Sequence, residues 1–526
     1  MQTSSLVLLI QIAVMSDVHR RFPSPWLVAV ACGLLAGIAL PPLGWPPLLW
    51  LALAGLWSLT ALPPKRAWAI GGRGFAWGTA AVALSHRWLL ALHPLDWIGV
   101  PGPLSLPLCL LLLALISALG GSLVALWLWL ATRLDPRRWT TALLLALLWG
   151  LGETLLAKGP LFWLGLGAVA LPGDPALAGL AALGGSALVG AVQLLMGWLL
   201  WRGLAAGAGG RQRWLAAAAA LVLISHGAGA LALSAQPLQS PALASERVLV
   251  LQTAIPTREK LLPSQRLVLQ RRLWAALAQG QHQAANLVVL PEGALGIEPQ
   301  LDQPAPLELI GGGFRWHEQG DRLEQRSSLL RFQPGETSPS GWLDKHRLVP
   351  LGEWVPLAGL VRWAGLSAVG GVEPGPASRL LARPAGPVAG MICYELADGA
   401  ALAQAVRTGA LWLLASANLD PYPAQLQRQF VALAQLRAIE TGRWLVSAAN
   451  TGPSMLINPR GQVVSQLPPS VAATAQFVVM PLRQWTPYVR WGDTPLLLLA
   501  LALAVLRALR PQPNRPLLDS NQRPAA

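Results

Sequence analysis

The sequence predicts a multi-span α-helical membrane domain followed by a large α/β domain. Three observations point there. Of 526 residues, 54% are hydrophobic and only 12% are charged, and the mean hydropathy is +0.48; soluble domains carry about 25% charged residues. The apolar residues are concentrated, running over residues 25–234 with only short Pro, Gly and Arg punctuation. Over residues 246–491 charge returns, and short apolar runs alternate with helical stretches. This pattern excludes an ordinary cytosolic enzyme and a disordered chain.

In chain order, residues 1–24 contain a short apolar core, Ser5–Met15, followed by His19-Arg20-Arg21 with no evident small-residue cleavage site. That reads as a cytoplasmic leader or an over-extended start. A bilayer span needs about 20 apolar residues. This ruler places seven spans, near 25–41, 45–62, 68–92, 103–132, 140–157, 181–202 and 213–234. Gly and Pro inside them are tolerated, being commoner in spans than in soluble helices. Residues 246–491 form the second domain. Strands are expected at Val248–Gln252, Asn286–Leu290, Pro387–Cys393, Leu411–Ala415 and Trp444–Ala448, and helices at Ser264–Gln279 and Pro423–Thr441. Strands alternating with helices indicate an α/β domain, and the segment is long enough for a complete core. Residues 493–509 read as one more short span, and 510–526 as a disordered cytoplasmic tail.

The net charge of +15 could suggest a nucleic-acid partner. The basic residues instead cluster in short loops: His19–Arg21, Lys65-Arg66, Arg133–Arg138, Arg202–Arg213 and Arg507–Arg515. With seven spans before the domain and one after, all of these loops share one face. Basic loops mark the cytoplasmic side, so residues 246–491 are expected on the extracytoplasmic face of a bacterial inner membrane. No nucleic-acid partner is expected. Three cysteines, Cys32, Cys109 and Cys393, suggest neither a disulfide framework nor a metal site, and no cofactor is expected.

Three stretches of the second domain carry reactive residue types. Val288-Val289-Leu290-Pro291-Glu292-Gly293 ends an apolar strand with an acid, the place where α/β folds keep their sites. Asp344-Lys345-His346-Arg347 leads into Leu348-Val349-Pro350-Leu351-Gly352-Glu353-Trp354-Val355-Pro356, and Gly390-Met391-Ile392-Cys393-Tyr394-Glu395 ends a strand with a thiol. Singly, each has a plain explanation: a helix N-cap, a solvated charge, a small buried hydrophobe. Together they are more informative. Only four of the 39 basic residues are Lys, and Lys345 is the last of them; Cys393 is the only Cys of the domain. A free thiol is only a few per cent thiolate at pH 7. A carboxylate can take its proton, and an ammonium can stabilise the oxyanion of a tetrahedral intermediate. The set suits acyl transfer through a thioester.

With their flanking sequences, Glu292, Lys345 and Cys393 resemble the nitrilase, or carbon–nitrogen hydrolase, superfamily. The spans around the domain, the Arg347–Pro356 block, Trp485-Thr486-Pro487-Tyr488 with Gly492, Trp149 with Glu153, and Gly74-Phe75 are similar to its membrane branch, the apolipoprotein N-acyltransferase family. The resemblance implies a four-layer αββα sandwich on a helical base. It implies that a phospholipid donates its sn-1 acyl chain to Cys393, and that the α-amino group of an apolipoprotein's diacylglyceryl-cysteine then accepts it. Glu292 would be the general base, Lys345 the stabiliser of the intermediate and Cys393 the nucleophile. Glu353, Tyr394, Glu395 and Asn450 would support the site. The chain departs from the family at Ala417-Asn418-Leu419-Asp420-Pro421-Tyr422, at Phe430 where a His is usual, and at Leu261 where a Trp is usual. These changes bear on lipid and lipoprotein contacts more than on the chemistry.

A membrane-anchored amidase using water as acceptor is the alternative, though seven spans exceed what an anchor requires. A transporter is disfavoured, because the spans hold few charges, chiefly His86-Arg87 and Glu153. Glu153 reads as a helix–helix hydrogen bond or an interfacial position. The loops Leu357–Leu366 and Ala415–Pro423 are expected to act as lids at the bilayer interface.

Overall fold

A computed structural model of the chain describes residues 24–61, 68–96, 99–260, 262–320, 322–350, 352–353 and 371–509. The expected leader, the tail, Leu261 and the Leu357–Leu366 lid lie outside the described residues. The N-terminal region is helical: α1 (Pro25–Ala39), α2 (Pro46–Ser58), α3 (Trp68–Ser85), α4 (Gly102–Arg133), α5 (Trp139–Lys158), α6 (Ala181–Ala205) and α7 (Ala208–Ser234). Prolines open α1, α2 and α4, where a missing N–H costs nothing. Among the described residues four helices, α4 to α7, are long and apolar enough to cross a membrane. The stretch expected as a third span stops helically at Ser85 and continues as a 3-10 turn, Arg87–Leu92. The buried His86 sits at the break, its ring bonded to Ser85, Val82 and Phe162.

Beyond this base lie two six-stranded sheets. The first has the order β12-β1-β2-β3-β4-β5, and the second β11-β10-β9-β8-β7-β6. Their strands are β1 (Glu246–Gln252), β2 (Leu287–Val289), β3 (Glu308–Gln319), β4 (Arg322–Phe332), β5 (Gly341–Asp344), β6 (Leu380–Leu381), β7 (Val388–Ile392), β8 (Leu413–Ala417), β9 (Leu445–Ala449), β10 (Met455–Ile457), β11 (Val463–Gln466) and β12 (Ala473–Val479). β1, β2 and β3 run parallel, as do β7, β8 and β9. Such strands are covered on both faces, which is why β2, β7, β8 and β9 are buried throughout. Helix α8 (Pro263–His282) packs its Leu273, Ala276 and Leu277 on the first sheet. Helices α9 (Gly399–Arg407) and α10 (Ala424–Thr441) cover the second. The result is the αββα sandwich. The last apolar helix, α11 (Thr494–Ala508), returns to the helical base, where Arg507 donates to Thr141 of α5.

The sandwich sits on the base through α10. Its Ala432, Leu436 and Ile439 join a core with Leu177, Ala181 and Val189. Gln425 and Gln429 donate to the carbonyl of Ser85. Helix α6 breaks at Gly184-Gly185, and Gly185 has φ +66°. A Cβ there would lie 2.4 Å from the Tyr488 ring, so only glycine fits. The break frees the Ser186 N–H, and Glu440 of α10 accepts it at 2.8 Å.

Candidate active site

Each of the three chemically active residues follows directly on a strand. Glu292 stands three residues past β2, Lys345 one past β5 and Cys393 one past β7. Because β2 and β7 are inner strands of facing sheets, their C-terminal ends bring the acid and the thiol to one place. Gly312 of β3 makes room for the acid: a Cβ there would come within 2.4 Å of Glu292 Cα and 2.7 Å of Gly293 N. Cys393 takes φ +56°, a left-handed conformation rare for non-glycine residues. Strain of this kind concentrates at functional sites. A 3-10 turn, Cys393–Ala397, begins at the thiol.

The structure brings Glu292, Lys345, Glu353 and Cys393 together. Lys345 Nζ donates to Glu292 Oε1 at 2.8 Å and to Glu353 Oε1 at 2.7 Å. The lysine side chain is only 1% exposed. Glu292 Oε2 accepts the Asn418 N–H at 2.9 Å, and Glu353 Oε2 accepts the Val349 N–H at 2.9 Å. One cation thus serves two carboxylates beside a buried thiol. Burial alone would push the Lys345 ammonium down; the charges of Glu292, Glu353 and Cys393 hold it well above its ordinary value instead. Burial pushes the Cys393 thiol well up, and the negative charge of Glu292 adds to this against the opposing pull of Lys345. Burial also raises the Glu353 carboxyl, Lys345 opposing and Glu292 reinforcing. At neutral pH the cluster therefore holds a protonated thiol and a charged lysine. A base must take the thiol proton as the sulfur attacks.

Of the expected supporting residues, Tyr394 lies beside the nucleophile, and its hydroxyl donates to Leu348 O. Glu395 lies behind the site. It accepts N–H groups from His346 at 2.8 Å, Arg347 at 3.1 Å and Ile392 at 2.9 Å, and pairs with Arg379 at 2.9 Å. It therefore ties the lysine loop to the nucleophile strand. None of the side-chain hydrogen bonds of Asn450 goes to Glu292, Lys345 or Cys393. Asn450 accepts from Thr253 and Ile255 and donates to Ile255 O and Asn418 Oδ1, and so steadies the segment whose Asn418 holds Glu292. Glu153 accepts Nε1 of Trp149 on its own helix and the Leu166 N–H at the start of a 3-10 turn, so its bonds are structural but not the helix–helix bond expected.

Several residues were not anticipated. Lys260 Nζ approaches Glu292 O at 3.4 Å, and burial pushes its ammonium down to about 8 against the charges of Glu292 and Asp420. An apolar cavity of about 160 Å³ opens from Cys393 and Tyr394 into the helical base. Its walls come from Trp88 and Leu92, from Leu108, Leu112 and Ile116 of α4, from Phe162, and from Tyr422 and Phe430. Phe162 stacks on Phe430 with ring centres 5.6 Å apart, and Trp88 meets Tyr422 edge-on at 5.7 Å. Tyr422 and Phe430 are marked by their departure from the family; for the rest of the wall, local sequence offers only the stripe of α4 at i, i+4 and i+8.

The apolipoprotein N-acyltransferase N-terminal domain family matches residues 32–199, and the carbon-nitrogen hydrolase family matches residues 247–483. An apolipoprotein N-acyltransferase of Prochlorococcus marinus (strain MIT 9313) is 46% identical over 486 residues, covering 90% of this chain and 94% of the relative. One from Parasynechococcus marenigrum (strain WH8102) is 47% identical over 473 residues, covering 89% and 97%. Among solved structures, Nit3 of Saccharomyces cerevisiae, a member of the nitrilase superfamily, is similar over 46% of this chain and 93% of its own, with 16% identity and a TM-score of 0.34.

Proposed function

The chain belongs to the apolipoprotein N-acyltransferase family, and we propose that it moves an acyl chain from a phospholipid, through a thioester on Cys393, to the α-amino group of a lipoprotein's diacylglyceryl-cysteine. It is an N-acyltransferase of the carbon–nitrogen hydrolase superfamily and a membrane protein. In the proposed first half-reaction Glu292 takes the Cys393 proton as the sulfur attacks the sn-1 ester carbonyl. Lys345 faces the oxyanion. Collapse breaks the ester C–O bond, and the leaving lysophospholipid oxygen takes the proton from Glu292. In the second half-reaction the amine attacks the thioester, Glu292 accepts its proton, and the departing sulfur takes that proton back. Glu353 holds Lys345 in place throughout.

The observation that supports this reading best is the apolar cavity opening from the thiol into the helical base. A small-amide hydrolase has no use for such a wall, whereas an acyl tail requires one. A water-poor, lipid-filled site also protects a thioester from hydrolysis. The proposal includes the topology: residues 246–491 on the extracytoplasmic face, 25–234 and 493–509 in the membrane, and the C-terminus in the cytoplasm. The test uses mass spectrometry of a diacylated model lipopeptide incubated with phospholipid and the full chain. One added acyl chain is expected, together with a thioester adduct on Cys393 that Cys393→Ala abolishes. Ammonia release from small amides without acyl transfer would refute the reading.

A further inference from the structure

Arg347 is buried in an unusual way. It follows β5 two residues after Lys345, and its side chain belongs to a residue only 9% exposed. Its guanidinium stacks 4.7 Å from the ring centre of Tyr394, the neighbour of the nucleophile. One terminal nitrogen donates to the carbonyl of Gly159, just past the end of α5. The other two nitrogens, Nε and Nη1, are buried and meet no acceptor. Among the described residues no carboxylate pairs with it. The other buried arginines of the sandwich differ in having an acid partner or a full set of carbonyls: Arg326 pairs with Glu324 and Asp344 and Arg331 reaches Glu308 at 3.6 Å, although Arg326, Arg331, Arg383 and Arg437 also keep buried nitrogens without an acceptor. Arg379, Arg383 and Arg437 each have a glutamate within 3.0 Å. Arg443, which has no acid partner, spends its donors on four carbonyls. An uncompensated buried charge is strongly unfavourable, and an orphaned buried donor requires a reason.

The position supplies one. Gly159 and Tyr394 place the cation where the helical base meets the lysine loop. Pro160, next to Gly159, and Tyr394 both line the cavity that opens from Cys393. In a phosphoglycerolipid the sn-1 ester and the phosphodiester share one three-carbon glycerol. With the ester carbonyl at Cys393 and its tail in the cavity, the phosphodiester falls about one side chain away. A guanidinium is permanently charged and suited to phosphate oxygens.

We propose that Arg347 binds the phosphodiester of the donor lipid and so sets the enzyme's preference for phospholipid over neutral esters. This rests on the acyl-transfer reading above and adds a residue to it. Arg347 is a binding residue here: it receives no proton and touches no breaking bond.

The test compares two donors with identical acyl chains, phosphatidylethanolamine and diacylglycerol, in mixed detergent micelles with the full chain. The rate of thioester formation on Cys393 is read by intact-protein mass spectrometry. Arg347→Gln should lower kcat/KM for the phospholipid by about 10- to 100-fold, mainly through KM, the range of a lost charge-assisted hydrogen bond. Diacylglycerol should lose far less, and Arg347→Lys should fall between. The diacylglycerol rate also reports whether the variant is folded. An equal loss on both donors would assign Arg347 to the fold or to a free anion and overturn the proposal; so would an undiminished phospholipid rate. Wild-type enzyme that forms no thioester from phospholipid would instead overturn the acyl-transfer reading itself.

Discussion

Glu395 offers the sharpest separation of stability from alignment. Its residue is 3% exposed, and its two oxygens accept three main-chain N–H groups and a terminal nitrogen of Arg379. In Glu395→Gln the side chain keeps its shape but trades one acceptor for an NH2. Whichever way the amide turns, that NH2 faces an N–H donor: Ile392 on one side, His346 and Arg347 on the other. Arg379, itself 4% exposed, loses its counter-charge. Removing one partner of a buried pair costs about 3–5 kcal/mol. For a domain of this size that lowers Tm by about 6–20 °C. Arg379→Gln removes the same ion pair, with the bonds of Arg379 to the carbonyls of Asp344 and Pro376, and should cost a similar amount. It leaves the N–H bonds of His346, Arg347 and Ile392 to Glu395 intact, however. The two variants should thus melt alike and react differently. At a temperature where both are folded, Glu395→Gln should slow thioester formation by about 100-fold, the penalty of a displacement near 1 Å. Arg379→Gln should slow it much less. Thermal unfolding in detergent and single-turnover acylation from phospholipid measure the two quantities. Equal slowing in both variants, or a normal rate in Glu395→Gln, would refute the idea that Glu395 aligns Lys345 with Cys393.

Three further outcomes are expected. Because the charge of Glu292 raises the Cys393 thiol and Lys345 lowers it, Glu292→Gln should speed alkylation by iodoacetamide at a fixed pH, and Lys345→Met should slow it, while both abolish acyl transfer; a slower alkylation in Glu292→Gln contradicts the electrostatic account. Gly312→Ala should force Glu292 away, since its Cβ meets main-chain atoms at 2.4 and 2.7 Å; overpacking of this kind costs about 1–3 kcal/mol, and acylation should fall more than stability does, as single-turnover rates and melting curves will show. Burial raises the Glu440 carboxyl from 4.5 to about 7, against the opposing charge of Arg437. The folded state then holds a proton that the unfolded state has lost. Its contribution is present below pH 4.5 and disappears as pH rises through about 7, a loss on the order of 3 kcal/mol. Glu440→Gln should flatten that part of the pH–stability profile, and an unchanged slope would exclude the group.

The sequence disclosed what repeats locally. Apolar runs near span length, β-type runs between turns, and reactive residues just past strands can all be read without a partner. Glu292 and Cys393 belong to this class, since each follows an apolar run that reads as a strand; Lys345 stands out by the scarcity of lysine, and the short strand before it, β5, carries no such signal. The long β3–β4 hairpin was missed for a physical reason. β3 contains Gly311-Gly312-Gly313 and ends in His317-Glu318-Gln319, which is poor strand chemistry; its eleven paired positions with β4 are set by the partner strand and by the close approach of Glu292. The break after Ser85 was likewise invisible, because His86 is held there by Phe162, 76 residues away. Arg379 and Arg347 also lacked any local sign, as their meaning comes from what lies across the fold.

The family departures make the same distinction at the scale of the site. Tyr422 and Phe430 are among the expected departures from the family, and both prove to be wall residues of the apolar cavity that opens from Cys393. Phe430 finds its partner in Phe162 and Tyr422 in Trp88, both of the helical base. An apolar wall can exchange one aromatic residue for another with small cost when volume is conserved. The charged centre has no such freedom. Lys345 is 1% exposed and serves two carboxylates, so losing the lysine leaves two buried carboxylates facing each other uncompensated, and losing either carboxylate removes one of the two bonds that fix the ammonium. Variation is therefore expected where the tail lies, and constancy where the ester reacts. On this argument acyl-chain preference is set by the contact between α10 and the helical base, and exchanging Phe430 should change which chain lengths are used before it changes whether a thioester forms.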